Sequence, residues 1–225
     1  MNTEIILLPN LNRLNGGTQK HWIWQFGRNH IKSCDYLQKI NYSIQDLNHE
    51  IGSLAKPSMK EVVYVIALVD WICEAVDALP KLLVDGVING FHYEKQTEFE
   101  TAKKYFKAIR SFVLAHPLST DRHPAFGFDG DKICVDIRGK RSVVTQALSA
   151  PGDWYHLSIN GLVPNAKDVP ADFVLYIYSE SRDNMQFFKY IGADFQDLYH
   201  VAEIYIDRLY ALDKYLDSLK RKDWV

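Results

Sequence analysis

Apolar positions mark out helices over the first half of the chain. The double glycine at 16–17 opens "TQKHWIWQFGRNHIKSCDYLQKI", which predicts helix, with Gly27 a kink or a break. From about 34 to 54, Tyr36, Leu37, Ile40, Ile44, Leu47 and Ile51 fall on one side of a helix. The clearest start is "KPSMKEVVYVIALVDWICEAVDAL", where Ser58 and Glu61 have capping-box spacing and Pro57 sits just outside. Val62, Val65, Ile66, Val69, Ile72, Cys73 and Val76 then recur at helical spacing, and Val63 and Leu68 widen the stripe, so this helix is expected to be central. Its β-branched content keeps a buried strand over 62–69 as the competing reading; the capping box and the length favour helix. Pro80 breaks or kinks it, and "VDGVING" reads as a loop. A further helix, about 94–115, carries Phe99, Ala102, Tyr105, Phe106, Ile109, Phe112 and Val113 on its apolar side and ends at Pro117.

The pattern changes at about 125. In "DKICVDIR", Ile133, Val135 and Ile137 alternate with Cys134, Asp136 and Arg138. In "DWYHLSING", Tyr155, Leu157 and Ile159 alternate with Trp154, His156 and Ser158 before an Asn-Gly turn signal. With "ADFVLYIYS" as a third run, 125–180 predicts a small antiparallel β unit of three strands inserted between helices. The chain then predicts a long helix over about 183–221. Phe187, Ile191, Phe195, Leu198, Ala202, Tyr205, Leu209, Leu212, Leu216 and Leu219 step along it by threes and fours. Such a seam either lies along the chain's own bundle or meets a second copy, giving a homodimer. No repeat, low-complexity segment or Pro/Ser linker divides the chain. The expectation is one domain, residues 1–225, mostly α: a helical bundle (18–116 and 183–221) with an inserted antiparallel β unit, α+β overall.

Composition narrows the function classes. The chain has 225 residues and a formal net charge of −2, so no global field draws it to nucleic acid or to an anionic membrane, and RNA binding would need a local basic patch. Aromatic residues make up 13%, which argues for a packed chain and against disorder. Cys34, Cys73 and Cys134 are far apart and odd in number, as expected of reduced thiols in a cytoplasmic protein. "MNTEIILLPN" lacks the features of a signal peptide, and the longest apolar run, "VVYVIALV", is too short to span a bilayer.

The candidate chemistry gathers in "KAIRSFVLAHPLSTDRHPAFGFDG". Arg110 and His116 form an R-x5-H pair near a helix end, with Ser111 beside the arginine. Here the chain resembles the HEPN superfamily, small all-helical domains marked by an Arg followed four to six residues later by a His. Many of these are metal-independent ribonucleases of toxin–antitoxin and phage-defence systems; others bind RNA or act as scaffolds. The resemblance covers roughly 58–117 and the last helix, and leaves 125–180 as an insertion. Ser111 stands where that family often has Asn. The resemblance implies catalytic roles for Arg110 and His116, no cofactor or metal, and a dimer that places two such pairs in one cleft.

The residues themselves fit phosphate chemistry. Six helical steps separate two side chains by about 120° and about 9 Å along the axis, so a regular helix would not pair them. Pro117 disfavours the α conformation at His116, which puts that histidine at or beyond the C-cap, free to swing toward Arg110. The helix dipole favours its protonated form, and the neighbouring arginine opposes it. In RNA cleavage, His116 would take the 2′-OH proton or give one to the leaving 5′-oxygen, and Arg110 would hold the scissile phosphate. In the structural alternative, Arg110 pairs with a carboxylate and His116 caps the helix.

Asp121, Arg122 and His123 form a second cluster. His123 would supply a second acid/base group and Arg122 a second phosphate contact; otherwise "STDRHP" is a solvated loop turned by Asp121. A metal site of His116 and His123 with Asp121 or Asp129 matches no known ligand spacing, and none is expected. Lys132, Arg138, Lys140 and Arg141 form the densest basic patch, which would track a nucleic-acid backbone or else mark an exposed hairpin end. Asp70, Glu74 and Asp77, at i, i+4 and i+7, read as a solvent face or as partners for Arg110. His21, His30, Trp22 and Trp24 show no spacing that defines a site. The leading expectation is thus a HEPN-like endoribonuclease or RNA-binding protein. The alternative is a non-catalytic helical protein that dimerises or binds a partner through its last helix.

Overall fold

The structure, a computed structural model, describes residues 8–22, 26–55, 57–115, 120–123, 128–138, 153–180 and 186–219. Its class is α+β. The described helices are α1 (His30–Glu50), α2 (Met59–Ala78), α3 (Gln96–Arg110) and α4 (Phe195–Ser218). The strands are β1 (Thr120–His123), β2 (Phe128–Arg138), β3 (Asp153–Ser158), β4 (Gly161–Pro164), β5 (Phe173–Glu180) and β6 (Gln186–Ala193). The described chain divides into two compact units.

One unit is built mainly of Glu50–Ala67 and Thr101–Leu198 and holds the sheet. The six strands run in the order β1-β2-β5-β6-β3-β4. Where sequence predicts three antiparallel strands, β3 and β6 pair in parallel, so the sheet is mixed. β3 and β4 form the hairpin announced by Asn160-Gly161, whose glycine has φ +125°. The expected alternation in β3 fails, because His156 and Leu157 are both buried; in β5, Phe173, Val174 and Leu175 are buried in succession. These strands are covered on both faces, which removes the period-2 pattern. The aromatic rings of Trp154 and Tyr190, register partners on β3 and β6, stack at 4.3 Å.

The long helix predicted over 183–221 is instead a strand followed by a helix. Phe187 and Ile191 belong to β6, and α4 begins only at Phe195. A four-residue step keeps side chains on one face in a helix and in a strand alike, so 187, 191 and 195 satisfy both periods. The boundary is fixed from far along the chain: Asp172 Oδ2 accepts the Phe195 N–H at 2.9 Å. From Phe195 to Leu216 the seam is buried within the chain's own fold, the first of its two readings.

The capping box at α2 forms as expected, with Ser58 Oγ accepting the Lys60 N–H at 3.2 Å and Glu61 Oε2 accepting the Ser58 N–H at 2.8 Å. Hydrogen bonds from Ser58 hold the Glu61 carboxyl below its usual range.

The second unit comprises Pro9–His49, Leu68–Glu100 and Tyr199–Val225. Gly27 is a break, not a kink: it lies outside the helices and bridges to Leu83, while the Arg28 N–H donates to Leu82 O at 2.6 Å. α1 starts four residues earlier than its apolar pattern suggests because Asn29 Oδ1 accepts the Lys32 N–H. Leu37, Ile40, Ile44 and Leu47 of α1 are buried, and Tyr199 of α4 donates its hydroxyl to Leu47 O at 2.5 Å. Two asparagines on α1 strap down the segment before it: Asn48 exchanges hydrogen bonds with Leu11 backbone, and Asn41 accepts the Leu14 N–H. Of the acidic stripe on α2, Asp70 is buried, Glu74 is exposed and Asp77 lies between, so the three share no single solvent face.

Candidate functional site

α3 supplies the arginine of the R-x5-H pair as its last regular residue. At Ser111 the helix passes into a π turn, Ser111–Ala115. Such turns insert a residue into the helical repeat and concentrate at functional sites. Phe112 and Val113 are buried and anchor the turn, whereas Arg110 and Ser111 are half-buried. His116 lies outside the described residues, as do Lys140 and Arg141.

The second cluster is on a strand, not a solvated loop. Asp121, Arg122 and His123 belong to β1, at the edge of the sheet. In the backbone register Arg122 stands opposite Asp129 and His123 opposite Phe128, and the register slips between Thr120 and Arg122. Irregularities of this kind re-aim side chains at sheet edges. The strand was hidden in the sequence because it is only four residues long and carries four polar side chains.

The sheet brings the two clusters to one element. The π turn after Arg110 packs against β2, and β1 pairs with β2. Arg138 is placed differently. It ends β2, nine residues beyond Asp129, and faces Val174. That is about 30 Å along an extended strand, so Arg138 and Arg122 do not share one compact phosphate site.

Two buried histidines each pair with a carboxylate elsewhere, and sequence reasoning found neither pair. In the sheet unit, His156 Nε2 is 3.2 Å from Asp194 Oδ2, and Asp194 Oδ1 accepts the Asp172 N–H. His156 is buried, and the backbone at Gly192 approaches so closely that a Cβ there would lie 3.4 Å from Nδ1 and 2.7 Å from the Ala171 Cβ. The Gly192 backbone closes the Nδ1 side of the ring, and Asp194 immediately precedes Phe195, so the pair ties β3 to the start of α4. In the other unit, His21 Nε2 is 2.7 Å from Asp217 Oδ1, which also takes Lys20 Nζ at 3.1 Å. Partners 196 residues apart leave no spacing to read. Lys20 and His21 hold the Asp217 carboxyl below its usual range.

Asp213, one turn before Asp217, is shifted the other way. Burial raises its carboxyl pKa, with Asp217 adding to the shift and His21 and Lys20 opposing it. A carboxyl raised on folding gives its full stabilising contribution below its unfolded pKa of about 3.9, and loses it as pH rises through the folded value. Asp213→Asn is therefore expected to raise stability at about pH 7, with the gain shrinking toward about pH 4. Urea denaturation at the two pH values checks this; a destabilised variant at neutral pH would contradict it.

Among the described residues no three His, Cys, Asp or Glu side chains gather as metal ligands, and no helix is long and apolar enough to cross a membrane. Compared with known proteins, the chain matches no family model and has no significant match among curated proteins or solved structures. The HEPN resemblance rests on the residues that carry it.

Proposed function

We propose that the protein is a HEPN-like, metal-independent endoribonuclease of toxin or defence type. The observation that supports it is the break in α3 at Arg110: the helix yields to a π turn within the R-x5-H motif, and that turn packs on the strand that β1 also pairs with. Arg110 would hold the scissile phosphate and stabilise charge developing on its oxygens. His116 would exchange the proton with the 2′-OH or the leaving 5′-oxygen, and His123 would be the second acid/base group. Ser111, Asp121 and Arg122 would contact substrate. Lys140 and Arg141, with Arg138, would meet a more distant part of the RNA backbone.

Incubating the purified protein with a broad panel of RNAs in EDTA, beside Arg110→Ala, tests this. Cleavage that survives EDTA and is lost in the variant supports the assignment. An intact panel, or a variant that cuts as well as wild type, overturns it.

A further inference from the structure

Asn15, Asn89 and Asn160 each precede a glycine, and each follows a leucine or an isoleucine. A glycine after asparagine has no Cβ to shield its backbone nitrogen and the widest choice of φ and ψ. That nitrogen can close on the asparagine amide. The flanking sequences are alike, so the surroundings decide among the three. Asn15 is pinned. Its Oδ1 accepts the Gly17 N–H at 3.0 Å, the Thr18 N–H at 3.2 Å and the Thr18 hydroxyl at 3.2 Å, and Thr18 is fully buried. Turning this amide onto the Gly16 nitrogen gives up those bonds.

Asn89 lies inside a 3₁₀ turn, Val87–Gly90. The Asn89 N–H donates to Gly86 O and the Phe91 N–H to Ile88 O, on either side of the Asn89–Gly90 peptide. Gly90 is also hemmed in: a Cβ there would lie 2.6 Å from the Tyr215 hydroxyl, which donates to Val87 O of the same turn at 2.9 Å. Ring closure rotates that peptide and so breaks the turn. Asn160 has none of these restraints. It is exposed at the tip of the β3–β4 hairpin, and its side chain makes no hydrogen bond among the described residues. A Cβ on Gly161 would meet nothing within 4 Å. Across the turn, Ser158 Oγ reaches Gly161 O only at a long 3.4 Å. β4 has four residues and stands last in the strand order, so this end of the hairpin opens locally at little cost.

We infer that Asn160 is a site of spontaneous self-modification: the folded chain deamidates there ahead of its two other Asn–Gly pairs. The Gly161 nitrogen attacks Asn160 Cγ and forms a new C–N bond. The bond from Cγ to Nδ2 breaks, and Nδ2 leaves as ammonia with the proton that Gly161 gives up. Water then opens the cyclic imide at one of its two carbonyls, leaving aspartate or isoaspartate. Water is the co-reactant, and nothing is oxidised or reduced. Either product puts a negative charge on the hairpin tip, and isoaspartate also adds a methylene to the backbone of the turn. The site shares no residue with the Arg110 cluster and stands whether or not the ribonuclease reading does.

The test holds the full-length protein in mildly alkaline buffer, with a parallel arm unfolded in urea. Samples taken over time are digested, and conversion of amide to acid in the three Asn–Gly peptides is read by mass spectrometry. In the folded arm, Asn160 is expected to convert at least about tenfold faster than Asn15 or Asn89, a gap that about 1.4 kcal/mol of activation free energy supplies. In urea the three rates should converge, since the restraints on Asn15 and Asn89 are gone. Asn160→Gln should remove the early conversion and leave the other two peptides unchanged. Folded Asn15 or Asn89 converting as fast as Asn160 would overturn the inference. So would folded Asn160 staying intact while the unfolded chain converts, or the same ordering persisting in urea, which would trace it to sequence and not to the fold.

Discussion

Replacing His116 by alanine is expected to lower the rate of RNA cleavage by about 10²–10⁴-fold, the range for loss of a positioned proton-transfer group. Loss of a group that only capped α3 would act through stability, and would leave the rate per folded molecule near wild type. The two are separated by measuring cleavage well below the thermal midpoint, with the folded fraction of each sample read by circular dichroism. The pH–rate profile adds an independent readout. A histidine that titrates near neutrality gives the wild type a limb in that region, and the limb should vanish with His116. A wild-type rate in His116→Ala, at equal folded fraction, would remove His116 from the chemistry.

The largest expected effect on stability is at Phe99. Its ring is 1% exposed, lies 4.8 Å from the Tyr205 ring and 6.3 Å edge-on from that of Tyr93, and carries the Arg208 guanidinium on its face. Alanine there would remove a buried aromatic ring and leave a cavity among groups that cannot close it, because Tyr93 and Tyr205 are themselves held by the packing around α4. The expected cost is about 3–5 kcal/mol. Denaturation in urea measures it; a loss below about 1 kcal/mol would mean that the cluster repacks freely.

The helices were legible wherever apolar spacing and local capping agree. α2 shows this best: its capping box formed, and Val62, Val65, Ile66, Val69, Ile72, Cys73 and Val76 are all buried. Reading failed where the deciding contact is distant in sequence. β6 was hidden because Phe187 and Ile191 fit a helix as well as a strand, and the residue that starts α4, Asp172, lies twenty-three positions before Phe195. β1 was hidden because it is short and polar, at the edge of the sheet. At the candidate site the sequence pointed to Arg110 and Ser111 but not to the π turn that follows, and it grouped Arg138 with a basic patch that β2 carries far from Arg122. The pairs His21–Asp217 and His156–Asp194 leave no local pattern, since each joins segments that only folding brings together.

The proposed chemistry requires the 2′-OH of the substrate itself as the nucleophile. The most direct measurement is therefore cleavage, in EDTA, of an RNA that the protein cuts, beside the same strand carrying a single 2′-deoxy nucleotide at the cut position. The expected result is cleavage of the RNA to a 2′,3′-cyclic phosphate and a 5′-hydroxyl, with the deoxy strand left intact at that position. Cleavage of both strands at equal rates, or activity that disappears in EDTA and returns with a divalent cation, would contradict a metal-free Arg110–His116 mechanism.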